Sequence, residues 1–116
     1  MRNSGEGVTM ADKADRVYEA VEVARNTGKL RKGANEVTKA IEKGQAKLVV
    51  IAKDVSPKEI VMHIPLLAKE KNVPCLEVPS KDELGAAAGI PLGTAAVAIV
   101  QEGEAKNIIK ELARGE

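Results

Sequence analysis

The sequence predicts an α/β layered sandwich around a small central sheet, and two observations lead there. Short, β-branched, continuously apolar runs recur at Lys47–Ala52, Cys75–Val78 and Thr94–Val100, as strands covered on both faces do. Between them lie stretches whose apolar residues repeat at helical spacing, and strands that alternate with helices make layered α/β folds. With 116 residues, 44% hydrophobic and 30% charged, the chain is sized for a single domain over residues 12–116.

Residues 1–11 are polar and glycine-containing and are expected to form a flexible leader. From Asp12, a good N-cap, the positions Val17, Ala20, Val21 and Ala24 predict an amphipathic helix to about Asn26, stopped by Gly28. A second helix is predicted from Asn35 to Lys43, with Gly44 as its stop. After the first strand, Pro57 opens a helix to Lys71 that should be interrupted near Pro65, because proline disfavours helical geometry at the residue before it. Ser80 and Glu83 stand at the capping-box offset and start a helix ended by Gly89, and residues Glu102 to Arg114 form a closing helix.

Composition excludes several functions. One cysteine and one histidine make neither an intramolecular disulfide nor a four-ligand zinc site. No apolar stretch has the length of a signal peptide or a membrane span, so the expected compartment is a reducing cytoplasm. Tyr18 is the whole aromatic content, which denies unpaired bases a stacking platform. Cys75 lies between Pro74 and Leu76 in an apolar strand, the surroundings of an inert thiol, and His63 has only Glu59 one turn back to orient it. Gly28 and Gly33 have the glycine spacing of a phosphate loop, but Ala34 and Asn35 stand where its lysine and hydroxyl belong. Gly85-Ala-Ala-Ala-Gly89 is a close-packing or capping feature in a short, charge-flanked helix. No enzyme, metal or cofactor is expected.

Charge is more informative. The whole chain carries a net +1, yet Lys29–Lys47 holds six cations against two carboxylates, a local +4 that leaves −3 elsewhere. Such a segment attracts phosphate at one place, although cations also occur on any solvated helix face. With Asn35 at zero and about 100° per residue, Lys39, Lys43 and Glu36 fall near 40°, 80° and 100°, and Val37, Ala40 and Ile41 fall at about 140–240°. The exposed flank therefore mixes donors and acceptors at a helix N-terminus, which itself favours anions. A carboxylate in a phosphate site is costly unless it meets a base donor, so Glu36 favours readout of base edges. Leu92 follows Ile90 and Pro91 and precedes Gly93, in a connection where it is either a contact surface or a cap on the preceding helix.

The run from Arg31 to Ala40, Lys47–Ala52 with Asp54 and Pro57, His63–Leu67 with Lys71–Pro74, and Ser80-Lys81 with Leu84-Gly85 and Gly89-Ile90 together closely resemble the kink-turn-binding ribosomal protein family, and most nearly its archaeal large-subunit members. The resemblance covers about residues 16 to 114. It implies a three-layer α/β/α sandwich around a small mixed sheet, free as a monomer, that binds RNA in which a three-nucleotide bulge precedes tandem sheared G·A pairs. Carried over by position, Gly33, Asn35, Glu36 and Lys39 would contact the sheared guanines, and Lys32 and Lys43 the backbone phosphates. Ile60 and Lys81 would line the bulge, and the loop Ile90, Pro91, Leu92, Gly93 and Thr94 would pack on extruded nucleotides. Ser56 stands where several relatives carry an acid, and the leader has no apolar run to match the outermost strand of many members. The partners implied are ribosomal RNA, box C/D and H/ACA guide RNAs and ribonuclease P RNA, with the proteins of those particles. An interaction module without RNA binding, docking through the Pro57–Lys71 helix, is the rival reading; an acyl-transfer enzyme using Cys75 and His63 is a weaker one.

Overall fold

The computed structural model describes residues 10–55 and 59–114. Among them the chain runs α1 (Met10–Thr27), β1 (Lys29–Lys32), α2 (Ala34–Glu42), β2 (Leu48–Ala52), α3 (Glu59–Glu70), β3 (Cys75–Val78), α4 (Lys81–Ala87), β4 (Ala96–Gln101), a 3-10 turn (Gly103–Ala105) and α5 (Lys106–Arg114). The sheet order is β1-β4-β2-β3, with β2 parallel to β3 and antiparallel to β4, and β1 antiparallel to β4. The sheet is therefore mixed, and β2–α3–β3 is its crossover unit.

Alternation along the two central strands sorts the core into two layers. Leu48, Val50, Val97 and Ile99 face Val17, Val21 and Leu84 beneath α1, α4 and α5. Val49, Ile51, Ala96 and Ala98 face Val37, Ile41, Ile64 and Ala68 beneath α2 and α3. Both faces are thus covered, which is why β2 reads as unbroken apolar sequence and is buried at every position.

Three expectations change. The first helix begins at Met10, so Met10 and Ala11 are helical and Asp12 lies within the first turn; residues 1–9 of the expected leader fall outside the described residues. Helix α3 continues unbroken through Pro65. A proline removes only one helix hydrogen bond, and Ile64 and Ala68, both fully buried, hold the helix across it. The expected opening of that helix at Pro57 lies outside the described residues. The closing helix begins at Lys106, because Gly103 turns the chain with φ +57° and the Glu104 N–H is taken by the Thr27 hydroxyl at 2.9 Å.

Strand β1 is an addition. Among the described residues it forms the edge of the sheet beside β4, with Leu30 opposite Ile99, Arg31 opposite Ala98 and Lys32 opposite Val97. Arg16 forms ion pairs with Glu19 and Glu111 and so ties α1 to α5.

Candidate nucleic-acid interface

Strand directions decide what is brought together. The C-terminal ends of β1, β2 and β3 and the N-terminal end of β4 all lie at one end of the sheet. Four connections meet there: the Gly33 turn into α2, the segment after Ala52, the Ser80 turn into α4, and the loop from Ile90 to Ala95. Backbone bonds knit them, from Gly33 N–H to Ala96 O (2.8 Å), Ala52 N–H to Ala95 O (2.9 Å), Lys53 N–H to Val78 O (2.8 Å) and Thr94 N–H to Lys81 O (3.1 Å).

Gly33 is the N-cap of α2 with φ +97° and ψ 149°, a conformation essentially confined to glycine. A side-chain cap is absent there, and Val37 N–H is the first to bond within the helix, to Gly33 O at 2.9 Å. The N–H groups of the first turn are therefore open donors at the positive end of the helix dipole. Asn35, Glu36 and Lys39 are exposed around them, whereas Val37, Ala40 and Ile41 are buried. Burying Val37 and Ile41 contributes about 1.5–3 kcal/mol each and fixes the rotation of the helix. The expected division of α2 into a core face and a mixed polar face is what the structure has.

At α4, the Ser80 hydroxyl accepts from Glu83 N–H at 3.2 Å, and the Asp54 carboxylate accepts from Lys81 N–H at 2.8 Å. Asp54 thereby joins the end of β2 to the start of α4, a role that nothing local in the sequence announces. The Tyr18 hydroxyl donates to Ser80 O at 3.4 Å, and burial pushes its pKa up. Lys81 itself is exposed.

The loop is held by close approach. A Cβ at Gly85 would overlap the Leu92 carbonyl oxygen, and Ile90 N–H donates to Gly85 O at 2.8 Å. This is the close-packing use of the glycine pair. Leu92 is 75% exposed, so it is no cap on the helix. Gly93 is exposed against Lys81 and Asp82, and Ile90 is half-buried on the α1 side of the core. Thr94 faces inward: it is 8% exposed and its hydroxyl donates to Ala96 O at 3.2 Å.

Not every expected residue joins this end. Lys32 does, one residue before Gly33. Lys43 is the C-cap of α2, about 13–14 Å along the helix axis from its start. The side chain of Ile60 and the whole of Ser56 lie outside the described residues. His63 is paired to α2: the Thr38 hydroxyl gives its proton to Ala34 O (2.8 Å), which leaves it to accept from His63 Nε2–H at 2.8 Å. Cys75 is half-buried on β3. Among the described residues no group of three or more His, Cys, Asp or Glu side chains could hold a metal ion, and no helix is long and apolar enough to cross a membrane.

A protein named as the Giardia lamblia 15.5kD RNA binding protein has the same fold, with a TM-score of 0.85 and 31% identity over 90% of this chain and 87% of that chain. The family model described as "Ribosomal protein L7Ae/L30e/S12e/Gadd45 family" matches residues 15–109, a span that includes α2, all four strands and the loop at Leu92. With nearly the whole fold and the glycine-capped helix matched, the chain belongs to the L7Ae/L30e/S12e/Gadd45 family of ribosomal proteins.

Proposed function

We propose that this chain binds structured RNA and recognises kink-turns through the sheet end just described. The observation that carries the reading is the meeting, at one end of the sheet, of three unlike groups. The open N–H donors of α2 suit phosphate; Asn35, Glu36 and Lys39 offer a donor–acceptor set for base edges; and the exposed Leu92 offers an aliphatic surface for bases that leave the stack. Family membership and the RNA binding named for the Giardia protein support it. Lys32 flanks these groups as a phosphate contact, and the exposed Lys81 lines the bulge. Ribosomal RNA is the first candidate ligand, and box C/D and H/ACA guide RNAs and ribonuclease P RNA are further ones, bound by a protein that is monomeric when free and joins the other proteins of those particles.

A gel-shift titration with a kink-turn RNA, beside a control whose sheared G·A pairs are replaced by Watson–Crick pairs, tests the proposal. Tighter binding of the kink-turn is expected; equal affinity refutes kink-turn recognition. The rival reading as a protein-docking module has its own support in Met62 and Leu66, 63% and 72% exposed one turn apart on α3.

A further inference from the structure

The six cations of Lys29–Lys47 do not all lie at the kink-turn end. Lys29 stands opposite Gln101, at the other end of β4 from Gly33 and Ala96. Lys47 reaches that far end from the other side of β4, its backbone N–H donating to Ile99 O at 2.6 Å. Strands spaced at about 4.8 Å put the two lysine backbones about 10 Å apart across β4.

Between the two ends the charge is continuous. Arg31 pairs with Ala98, whose side chain belongs to the core layer under α2 and α3, so Arg31 stands on that same face of the sheet. On α2, Thr38 marks the shoulder that touches His63 of α3. Lys43 falls about 140° further round and Lys39 about 100°, on the shoulder away from α3, and α2 has β1 as a neighbour as well as α3 and β4. The cations thus form a track from Lys39 past Arg31 and Lys43 to Lys29 and Lys47, whereas Lys32, opposite Val97, stands on the other face of the sheet. All six are exposed. Among the described residues none forms an ion pair, although Glu42 precedes Lys43 and Glu102 follows Gln101, the strand partner of Lys29.

A line of unpaired like charges repels itself, and a polyanion laid along it removes that repulsion and releases counterions. Sheared G·A pairs stack within a helix, so the backbone of a stem continues from them. We infer that Lys29 and Lys47, with Arg31 between them and the motif, hold the phosphate backbone of the stem that extends beyond the G·A pairs. This second contact rests on the kink-turn reading and lies at the opposite end of the sheet from Asn35 and Glu36. Lysines act here as point charges, which grip a backbone without reading sequence.

The test uses three RNAs: a short kink-turn whose stem ends just past the G·A pairs, the same kink-turn with that stem lengthened by a helical turn, and the short RNA with Watson–Crick pairs in place of G·A. The wild-type protein is expected to bind the long kink-turn more tightly than the short one. It should also show a salt slope steeper by about 2, equivalent to roughly a tenfold greater loss of affinity between about 50 and 200 mM salt. The K29Q/K47Q variant should bind the short kink-turn as the wild type does and lose the advantage of the long one. Equal wild-type affinity for the two lengths overturns the inference and leaves the track to an acidic protein partner. Retention of the long-stem advantage by the variant overturns it as well, and so does an equal loss on both lengths. Failure of the kink-turn reading itself shows elsewhere, as equal binding of the short kink-turn and its Watson–Crick control.

Discussion

Among groups that meet phosphate, a carboxylate repels unless a base donor faces it, and Glu36 stands exposed in the first turn of α2. Glu36→Ala is expected to weaken kink-turn binding by about 1–3 kcal/mol and to narrow the gap to the Watson–Crick control, as loss of a base contact does. Lys43→Ala should weaken both RNAs alike and lower the salt slope by about 1, as loss of one phosphate contact does. Titrations at several salt concentrations measure both effects; tighter binding by Glu36→Ala would make the carboxylate merely repulsive. In the loop, Leu92 and Thr94 separate by burial. Leu92→Ala should leave the melting temperature nearly unchanged and cost roughly 1 kcal/mol of RNA affinity, in proportion to aliphatic area. Thr94→Ala loses a buried hydrogen bond, about 0.5–1.5 kcal/mol, and should lower the melting temperature by about 4–8 °C per kcal/mol. The family resemblance places both residues against RNA. Which of two loop residues turns inward is decided by the approach of the loop to α4, and no local pattern reports that approach.

At the scale of elements, what the sequence reveals follows from how each element is covered. Strands β2, β3 and β4 contribute buried faces to the sheet, and their β-branched runs announce them. Strand β1 is Lys29-Leu30-Arg31-Lys32, an edge with one half-buried residue, so neither a continuous apolar run nor a clear alternation marks it. Its cations are visible in the sequence as charge, but the pairing with β4 that aligns them is a tertiary fact. The face of α2 is legible because three buried positions at helical spacing fix its rotation, and the polar face follows. Helix α3 defies its proline because burial of Ile64 and Ala68 outweighs a local preference. A close interlock joins α4 to the loop. Gly85→Ala inserts a methyl group where the Leu92 carbonyl lies, so it should lower the melting temperature and also weaken RNA binding by more than Leu92→Ala, because the whole loop shifts. Thermal denaturation and a gel-shift titration on the one variant check the pair of effects; unchanged affinity would detach the loop from the RNA-binding end.

Across the whole molecule, a net charge of +1 hides a division. The segment Lys29–Lys47 carries +4 and the rest −3, so the electrostatic attraction to a polyanion is oriented as well as strong at one side. The sheet order has another consequence, in time. Strand β4 lies between β1 and β2 although it is the last of the four to be made. Gly33 and Ala52 both hand their N–H groups to Ala96 and Ala95 at its start. While the chain is being synthesised, β1 therefore has no strand to pair with, and the turn into α2 lacks its bond to Ala96, until residues 95–101 have left the exit tunnel. Long-range strand pairing of this kind is also slow to form. Chains stalled with only residues 1–90 emerged should bind no kink-turn RNA, and chains stalled with β4 and α5 outside should bind it. The order of the strands leaves the end of the sheet that carries Gly33 and Ala95 unassembled until β4 has been made.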